Sequence, residues 1–165
     1  MANVELRDIR TDADRAAVMA LRRRPGQERY LGSVGEHFAE AIEYPQAKPR
    51  MWAVHDADRV VGFVMISDGI PADTLAADPE LVGPYFLWKL LVDAPLQGRG
   101  YGRAIVEAVG GYVRQRGGEV LYTSCVDGEG SPQPFYLRLG FVKTGRIADG
   151  EDVLALDLGR AGELC

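Results

Sequence analysis

The stretch Gln97-Gly98-Arg99-Gly100-Tyr101-Gly102 (QGRGYG) carries a glycine at every second position. The run Tyr85–Val92 before it has the aromatic and aliphatic density of a buried strand, and Tyr101–Arg116 after it repeats apolar residues at helical spacing. Backbone N–H groups and the positive end of a helix dipole converge at such a junction, which favours an anion. Residues without a Cβ let the main chain approach phosphate oxygens closely. The stretch therefore predicts a phosphate-binding turn.

Two common nucleotide-binding loops do not fit this spacing. A Walker loop needs Lys and then Ser or Thr after its last glycine, whereas Arg103 and Ala104 follow Gly102. A dinucleotide fingerprint needs the spacing G-x-G-x-x-G and an acidic residue at the end of the second strand, whereas Glu119 opens the next strand. A nicotinamide cofactor is therefore not expected.

Outward from the loop, the pattern predicts one α/β domain over residues 1–165 with a mixed sheet flanked by helices. The predicted strands are Val4–Ile9, Met51–His55, Arg59–Ile66, Tyr85–Val92, Glu119–Val126, Phe141–Ile147 and Val153–Leu158. The predicted helices are one capped by Thr11 or Asp12, one after Ser33, Tyr101–Arg116 and Phe135–Leu139. The segment Ser67–Gly83 is predicted to be a long loop. Hairpins give antiparallel pairs and the strand-helix-strand unit gives a parallel pair, so the sheet is expected to be mixed.

The composition is that of a globular protein, with 47% hydrophobic and 26% charged residues. A net charge of -5 and a pI near 5.1 argue against binding to nucleic acid or to an anionic membrane. The sequence has no apolar stretch long enough to span a membrane and no signal peptide, so a cytoplasmic location is expected. The triplet Arg22, Arg23 and Arg24 is expected to form a solvated helix end.

The two cysteines have no spacing that suggests a metal site or a disulfide bond. Cys125 lies inside an apolar strand pattern and Cys165 is the last residue. We therefore expect free thiols and no bound metal.

Two motifs identify the chain as resembling the GCN5-related N-acetyltransferase (GNAT) family. Gln97, Gly100 and Gly102 match the family's acyl-CoA motif. The motif consists of Gln or Arg, any two residues, Gly, any one residue, and then Gly or Ala. The segment Phe135–Phe141 (FYLRLGF) resembles a second family element, FYxxLGF, and the order of the elements also agrees. Within the family, YFLWKLLVDAPLQGRGYG is similar to the diamine and polyamine acetyltransferases, and enzymes of this kind often form homodimers.

The resemblance implies an acetyl-CoA-dependent N-acetyltransferase with the GNAT fold. In such enzymes a strand backbone pairs with the pantetheine arm of the cofactor, the glycine loop holds its pyrophosphate, and a tyrosine protonates the leaving thiolate. Tyr136 matches that catalytic tyrosine. The implied cofactor-binding residues are Leu90, Leu91, Val92, Gln97, Gly98, Arg99, Gly100, Tyr101, Gly102, Arg103 and Ser131.

The sequence departs from the family pattern at two places. Glu129–Pro132 stand where many relatives have an Asn that lines the cofactor, and Ser131 can cap the following helix there. Trp88 stands where some polyamine acetyltransferases have a Glu that draws a proton from the amine through water. Strict alternation along Tyr85–Val92 places Tyr85, Leu87, Lys89 and Leu91 on one side, so that no acid on this strand replaces the Glu.

The acceptor is left open by the sequence, with a polyamine-like primary amine as the first candidate. An amine-bearing antibiotic or metabolite is the second candidate and a protein amine the third, and a module that binds acetyl-CoA without turnover is a different class. His37 has a suitable pKa for a base but is expected to serve in packing. None of the acids that could line the acceptor groove is assigned as the base. These acids are Glu28, Glu36, Glu40, Asp68 and Asp73.

Overall fold

Seven strands form one mixed sheet in a computed structural model that describes residues 2–159. The strands are β1 (Glu5–Asp8), β2 (Pro49–Asp56), β3 (Arg59–Asp68), β4 (Tyr85–Val92), β5 (Val120–Cys125), β6 (Val142–Ala148) and β7 (Glu151–Asp157). Their order across the sheet is β1-β2-β3-β4-β5-β7-β6. β4 and β5 are parallel and all other neighbours are antiparallel, which confirms the predicted mixed sheet.

Five α-helices connect these strands: α1 (Asp12–Met19), α2 (Val34–Glu43), α3 (Ala72–Ala77), α4 (Tyr101–Gln115) and α5 (Gln133–Arg138). The first two begin with capping boxes, in which a hydroxyl accepts a backbone N–H and an acid three residues later bonds back. Thr11 and Asp14 form the box of α1, and Ser33 and Glu36 that of α2.

The helices cover the sheet on two faces. Val18 of α1 and Phe38 of α2 pack with Phe63 and Leu91 in one apolar cluster. Ile105 and Val109 of α4 and Tyr136 of α5 belong to a larger cluster on the other face. Burial of apolar surface is the main driving force for folding, so these two clusters hold the helices against the sheet. The helices in turn set the positions of the loops at the edges of the sheet.

Two local predictions from the sequence are wrong. The segment predicted as a long loop contains α3, a short helix that begins directly after Pro71. The arginine triplet does not end a helix, because α1 stops at Met19 and the last turn of α1 holds no basic residue. Arg22–Arg24 lie in the loop between α1 and α2 instead.

Cys125 is a buried free thiol at the end of β5. Cys165 lies outside the described residues. Within residues 2–159, no helix has the length and apolar character needed to cross a membrane, and no cluster of three or more His, Cys, Asp or Glu side chains could hold a metal ion.

Candidate active site

Strand β4 carries a bulge that changes which side chains face which helix. Lys89 pairs with Met65 and Leu87 with Ile66, so Trp88 is an extra residue without a counterpart on β3. Leu87 consequently packs in the α4 cluster, whereas Trp88 and Leu91 pack on the α1 and α2 face. The strict alternation expected from the sequence is therefore wrong for this strand.

Beyond this bulge, β4 and β5 separate. They pair only at two positions, Phe86 with Tyr122 and Leu87 with Thr123. The Thr123 hydroxyl donates a hydrogen bond to the Leu87 carbonyl (3.0 Å) at the last paired position. The second half of β4 therefore borders an opening, since β5 no longer covers that edge.

The main-chain groups of alternate β4 residues point into this opening. The Asp93 N–H donates to the Val61 carbonyl of β3 (2.9 Å), so Leu91, two residues earlier, also turns its backbone toward β3. The backbone N–H and C=O groups of Leu90 and Val92 point the other way, into the opening. An amide-containing ligand can satisfy such groups, so the backbone of Leu90 and the N–H of Val92, whose carbonyl accepts the Gln97 side chain, fit the predicted pantetheine contact. The backbone of Leu91 faces β3 and does not fit it.

The opening leads to the glycine loop at the end of β4. Gly98 and Gly100 have φ of 79° and 89°, a left-handed conformation that other L-residues rarely adopt. A Cβ at Gly98 would meet nothing within 4 Å, and one at Gly100 only the Ala2 Cβ at 3.8 Å. The backbone here is thus open to an approaching group, as a phosphate cradle requires.

Gly102 has a different role. A Cβ at this position would lie 2.8 Å from the Phe135 ring, so the glycine allows α4 to pack closely against α5. The two family-like motifs of the sequence therefore touch each other. The first N–H groups of α4 have no partner in the helix and lie just after Gly100.

Two side chains of the loop hold it in place. The Gln97 amide donates to the Val92 carbonyl (2.8 Å) and to the Gln27 side chain (3.0 Å). The Tyr101 hydroxyl donates to the Asp56 carboxylate at the end of β2, and this bond raises the pKa of Tyr101. Both side chains therefore brace the loop, while Arg99 and Arg103 are exposed and free to turn toward an anion.

Tyr136 lies behind the point where β4 and β5 separate. It is 7% exposed, and its ring packs edge-on against Phe135 and Phe141. Burial and the nearby Cys125 thiol raise the pKa of Tyr136 well above its ordinary value, against a smaller lowering by the Thr123 hydroxyl. The phenol therefore keeps its proton at neutral pH and can act only as an acid or a hydrogen-bond donor there.

The predicted cofactor contact Ser131 has its hydroxyl engaged within the protein. It donates to the Val126 carbonyl and accepts the Gln133 N–H (3.1 Å). This arrangement caps the start of α5, as the sequence suggested, and orients the helix that carries Tyr136.

The loop between α1 and α2 crosses the carboxyl ends of β4 and β5, which the sequence did not predict. The Arg22 N–H donates to Asp93 after β4 (2.9 Å), and Gln27 accepts from Gln97 in the glycine loop. The Tyr30 hydroxyl donates to the Glu129 carbonyl after β5 (2.6 Å). Contacts between residues about 70 to 100 positions apart leave no local sequence signal, so only the fold shows them.

The five candidate acids do not converge on one point. Glu36 serves the capping box of α2, Asp73 accepts the Thr74 N–H, and Asp68 pairs with Arg116 (3.0 Å). Glu28 lies in the α1–α2 loop and accepts the Gly26 N–H (3.2 Å). Glu40 of α2 pairs with the Lys89 ammonium of β4 (3.4 Å), so it lies beside the bulge.

His37 is fully buried between Phe63 and the Glu40 carboxylate. Its ring stacks on Phe63 at 5.8 Å, and neither ring nitrogen makes a hydrogen bond within the described structure. Burial and the nearby Lys89 charge lower the pKa of His37 from 6.5 to about 4. The residue is therefore neutral at physiological pH and serves in packing, as the sequence suggested.

An aromatic and acidic surface adjoins the bulge. Trp88 is 6.3 Å from Tyr44 between ring centroids, and Tyr44 is 42% exposed. The pKa of Tyr44 is raised first by Glu43, then by burial and by the more weakly acting charges of Glu40 and Asp149, so the hydroxyl end of this ring lies in a negative field. Negative charge beside aromatic faces is an environment that suits a cationic amine.

A parallel strand pair that separates, with an open glycine loop at its end, leaves room for an extended ligand along the edge of β4. Residues 47–143, more than half of the chain, match the family model described as an acetyltransferase (GNAT) domain. The chain therefore belongs to the GNAT acetyltransferase family. It is an N-acetyltransferase that uses acetyl-CoA as its co-substrate.

Solved structures agree with this fold. An acetyltransferase from Thermus thermophilus is 19% identical with a TM-score of 0.66, and the match covers 94% of this chain and 97% of that one. An aminoglycoside 6'-N-acetyltransferase complexed with coenzyme A is 20% identical (TM-score 0.65, coverage 94% and 96%). The ribosomal-protein-S18-alanine N-acetyltransferase from Escherichia coli is 18% identical (TM-score 0.61, coverage 98% and 98%).

These identities establish the shared fold but not a shared acceptor. No curated protein matches the chain.

Proposed function

We propose that this enzyme transfers the acetyl group of acetyl-CoA to the primary amine of a small cationic acceptor. The separation of β4 from β5 carries the proposal, because it leaves the edge of β4 before the glycine loop unpaired and open to an extended ligand. Bound acetyl-CoA supplies an activated thioester. The backbone of Leu90 and Val92 positions the arm of this ligand, and the loop from Gln97 to Arg103 binds its pyrophosphate.

Tyr136 is proposed as the general acid. Its buried hydroxyl keeps its proton at pH 7, as protonation of a departing thiolate requires. The edge-on contacts with Phe135 and Phe141 fix the ring, so the hydroxyl is already oriented before the acceptor arrives.

The cationic acceptor is supported by the surface around Trp88 and Tyr44. The charges of Glu43, Glu40 and Asp149 raise the pKa of Tyr44, and such a negative field attracts and orients a diamine or polyamine. Glu40, beside the bulge, is the carboxylate that we propose to receive the proton of the amine through water, in place of the acid missing from β4.

An amine panel tests the function. Thiol release from acetyl-CoA is measured with diamines, polyamines, monoamines, an aminoglycoside and an alanine-ended peptide, because two solved neighbours are named for the last two acceptor types. We expect the diamines and polyamines to have the highest kcat/KM. Preference for the aminoglycoside would replace the diamine or polyamine by an antibiotic-like acceptor, and preference for the peptide would reject the small cationic amine. Silence with every amine despite acetyl-CoA binding would favour a binding module.

The Tyr136→Phe variant tests the acid. Loss of a general acid lowers kcat by about 10²- to 10⁴-fold, while acetyl-CoA affinity stays unchanged because the hydroxyl is needed only at proton transfer. Leu137→Ala is the matched control, because Leu137 follows Tyr136 on α5 and its own side chain is exposed. Full turnover by the phenylalanine variant would remove Tyr136 from the mechanism.

A further inference from the structure

A cavity of about 440 Å³ lies between the end of α1, the α1–α2 loop and the start of α2, with Leu91 of β4 at its wall. This volume is in the range of small-molecule sites. Among the described residues, neither Tyr136 nor the loop from Gln97 to Arg103 contributes to its wall. The cavity is therefore separate from the proposed pyrophosphate site.

Three consecutive arginines, Arg22, Arg23 and Arg24, line this cavity. Their loop is held in place: the Arg22 N–H donates to Asp93, and the Arg23 guanidinium donates to the Leu31 carbonyl (2.9 Å). The Arg24 N–H donates to the side chain of Gln27 (2.6 Å). Guanidinium groups on a fixed backbone can bind an oxyanion with less loss of conformational freedom than groups on a mobile loop.

The N-terminus of α2 forms another part of the wall. The Ser33–Glu36 capping box occupies the N–H groups of these two residues. Val34 and Gly35 also line the cavity, and N–H groups at these first helical positions have no partner within the helix. Together with the helix dipole, they favour negative charge on the same side as the arginines.

The wall of the cavity carries little negative charge. Glu28 is its one carboxylate among the described residues, and it is engaged by its own loop, where hydrogen bonds from the N–H groups of Glu28 and Gly26 lower its pKa. Asp93 pairs with Arg22 from outside the cavity wall (3.4 Å). No described carboxylate of the cavity wall therefore pairs with Arg23 or Arg24, and both keep an unpaired positive charge there.

We propose that this cavity is a second anion-binding site, which takes the phosphate group of a ligand other than acetyl-CoA. The guanidinium groups of Arg23 and Arg24 and the backbone N–H groups of Val34 and Gly35 come from two different elements, and the tetrahedral oxygens of a phosphate can face both, whereas the two oxygens of a planar carboxylate face one. The site goes beyond the proposed transfer reaction, because its binding does not depend on Tyr136 or on the acceptor amine.

Calorimetric titration with inorganic phosphate tests the site. We expect saturable binding to the wild-type protein and about tenfold or greater weakening in Arg24→Gln, since a charge-assisted hydrogen bond is lost. Glu28→Gln is expected to bind phosphate several-fold more tightly. Arg29→Gln, which removes an exposed arginine of the same loop outside the wall, is expected to match the wild type.

Two further titrations identify the source of the anion. With saturating acetyl-CoA present, phosphate is expected to bind as before, and acetate is expected to bind at least tenfold more weakly than phosphate. Absence of phosphate binding, or equal weakening in Arg24→Gln and Arg29→Gln, would overturn the site. Displacement of phosphate by acetyl-CoA would assign the cavity to the cofactor's own phosphates, and equal binding of acetate would replace the phosphate assignment with a carboxylate.

Discussion

The glycines of the QGRGYG loop have different physical reasons for lacking a side chain. Gly98 and Gly100 adopt positive φ beside open space, whereas Gly102 makes room for the Phe135 ring. The sequence predicted the first reason but not the second, because Phe135 approaches only through folding. Substitutions at the two kinds of position should therefore fail in different ways.

Gly100→Val is expected to weaken acetyl-CoA binding by more than about tenfold while the chain still folds. A left-handed conformation costs an L-residue about 1–2 kcal/mol, and the new side chain would enter the space where the phosphate is proposed to lie. Binding is measured by calorimetry and folding by circular dichroism. Gly111→Val is the matched control, because this glycine lies in α4 with no atom within 4 Å of an added Cβ; equal affinity of both variants would reject the cradle.

His37 is expected to make the protein sensitive to mild acid. Its pKa is about 4 in the folded chain and 6.5 when unperturbed, so between these values the unfolded chain binds a proton that the folded chain does not. Stability is therefore lost as pH falls, by about 2 kcal/mol between pH 8 and pH 5.

Urea unfolding at the two pH values measures this loss. His37→Leu should show a smaller difference between pH 8 and pH 5 than the wild type, whichever of the two proteins is more stable at pH 8. His55→Leu should retain the wild-type difference, because it leaves His37 in place. An unchanged pH difference in His37→Leu would show that other groups cause the acid sensitivity.

At the scale of elements, the sequence predicted the existence and order of all seven strands and of four α-helices. These elements carry strong periodicity or caps, such as the Ser33 cap before α2. It failed at the β4 bulge, because an extra residue is visible only against the register of β3. It also missed α3, whose six residues are too few to show a helical period.

The bulge places Trp88 on the α1 and α2 face, where the acceptor is proposed to bind, and replacement of this residue tests that part of the proposed function. Trp88→Leu is expected to raise the KM of a diamine by roughly 2- to 30-fold, the range of a lost cation–π contact of about 0.5–2 kcal/mol. The KM of acetyl-CoA should stay unchanged. A monoamine of equal length serves as the control substrate, since it lacks the second ammonium, and an equal rise for both amines would argue against a charge contact.

At the scale of the whole molecule, two groups of strands meet at a narrow junction. β1 to β4 and β5 to β7 are joined in the sheet by only two residue pairs between β4 and β5. The contacts of the α1–α2 loop, from Asp93 to Glu129, bridge the same gap. The sequence indicated the mixed sheet but could not show this bridge, which consists of contacts between distant residues.

A ligand seated between the diverging strands should therefore stabilise the whole fold. Acetyl-CoA at 100 times its dissociation constant adds about 2.7 kcal/mol to the free energy of unfolding, which raises the Tm of a chain of this size by roughly 5–11 °C. Differential scanning calorimetry measures the shift. Gly100→Val should show no more than about half of this shift at the same concentration, since a tenfold weaker site is then only about tenfold above its dissociation constant. Gly111→Val should show the full shift, because it leaves the proposed cradle unchanged; a full shift in both variants would place the cofactor elsewhere.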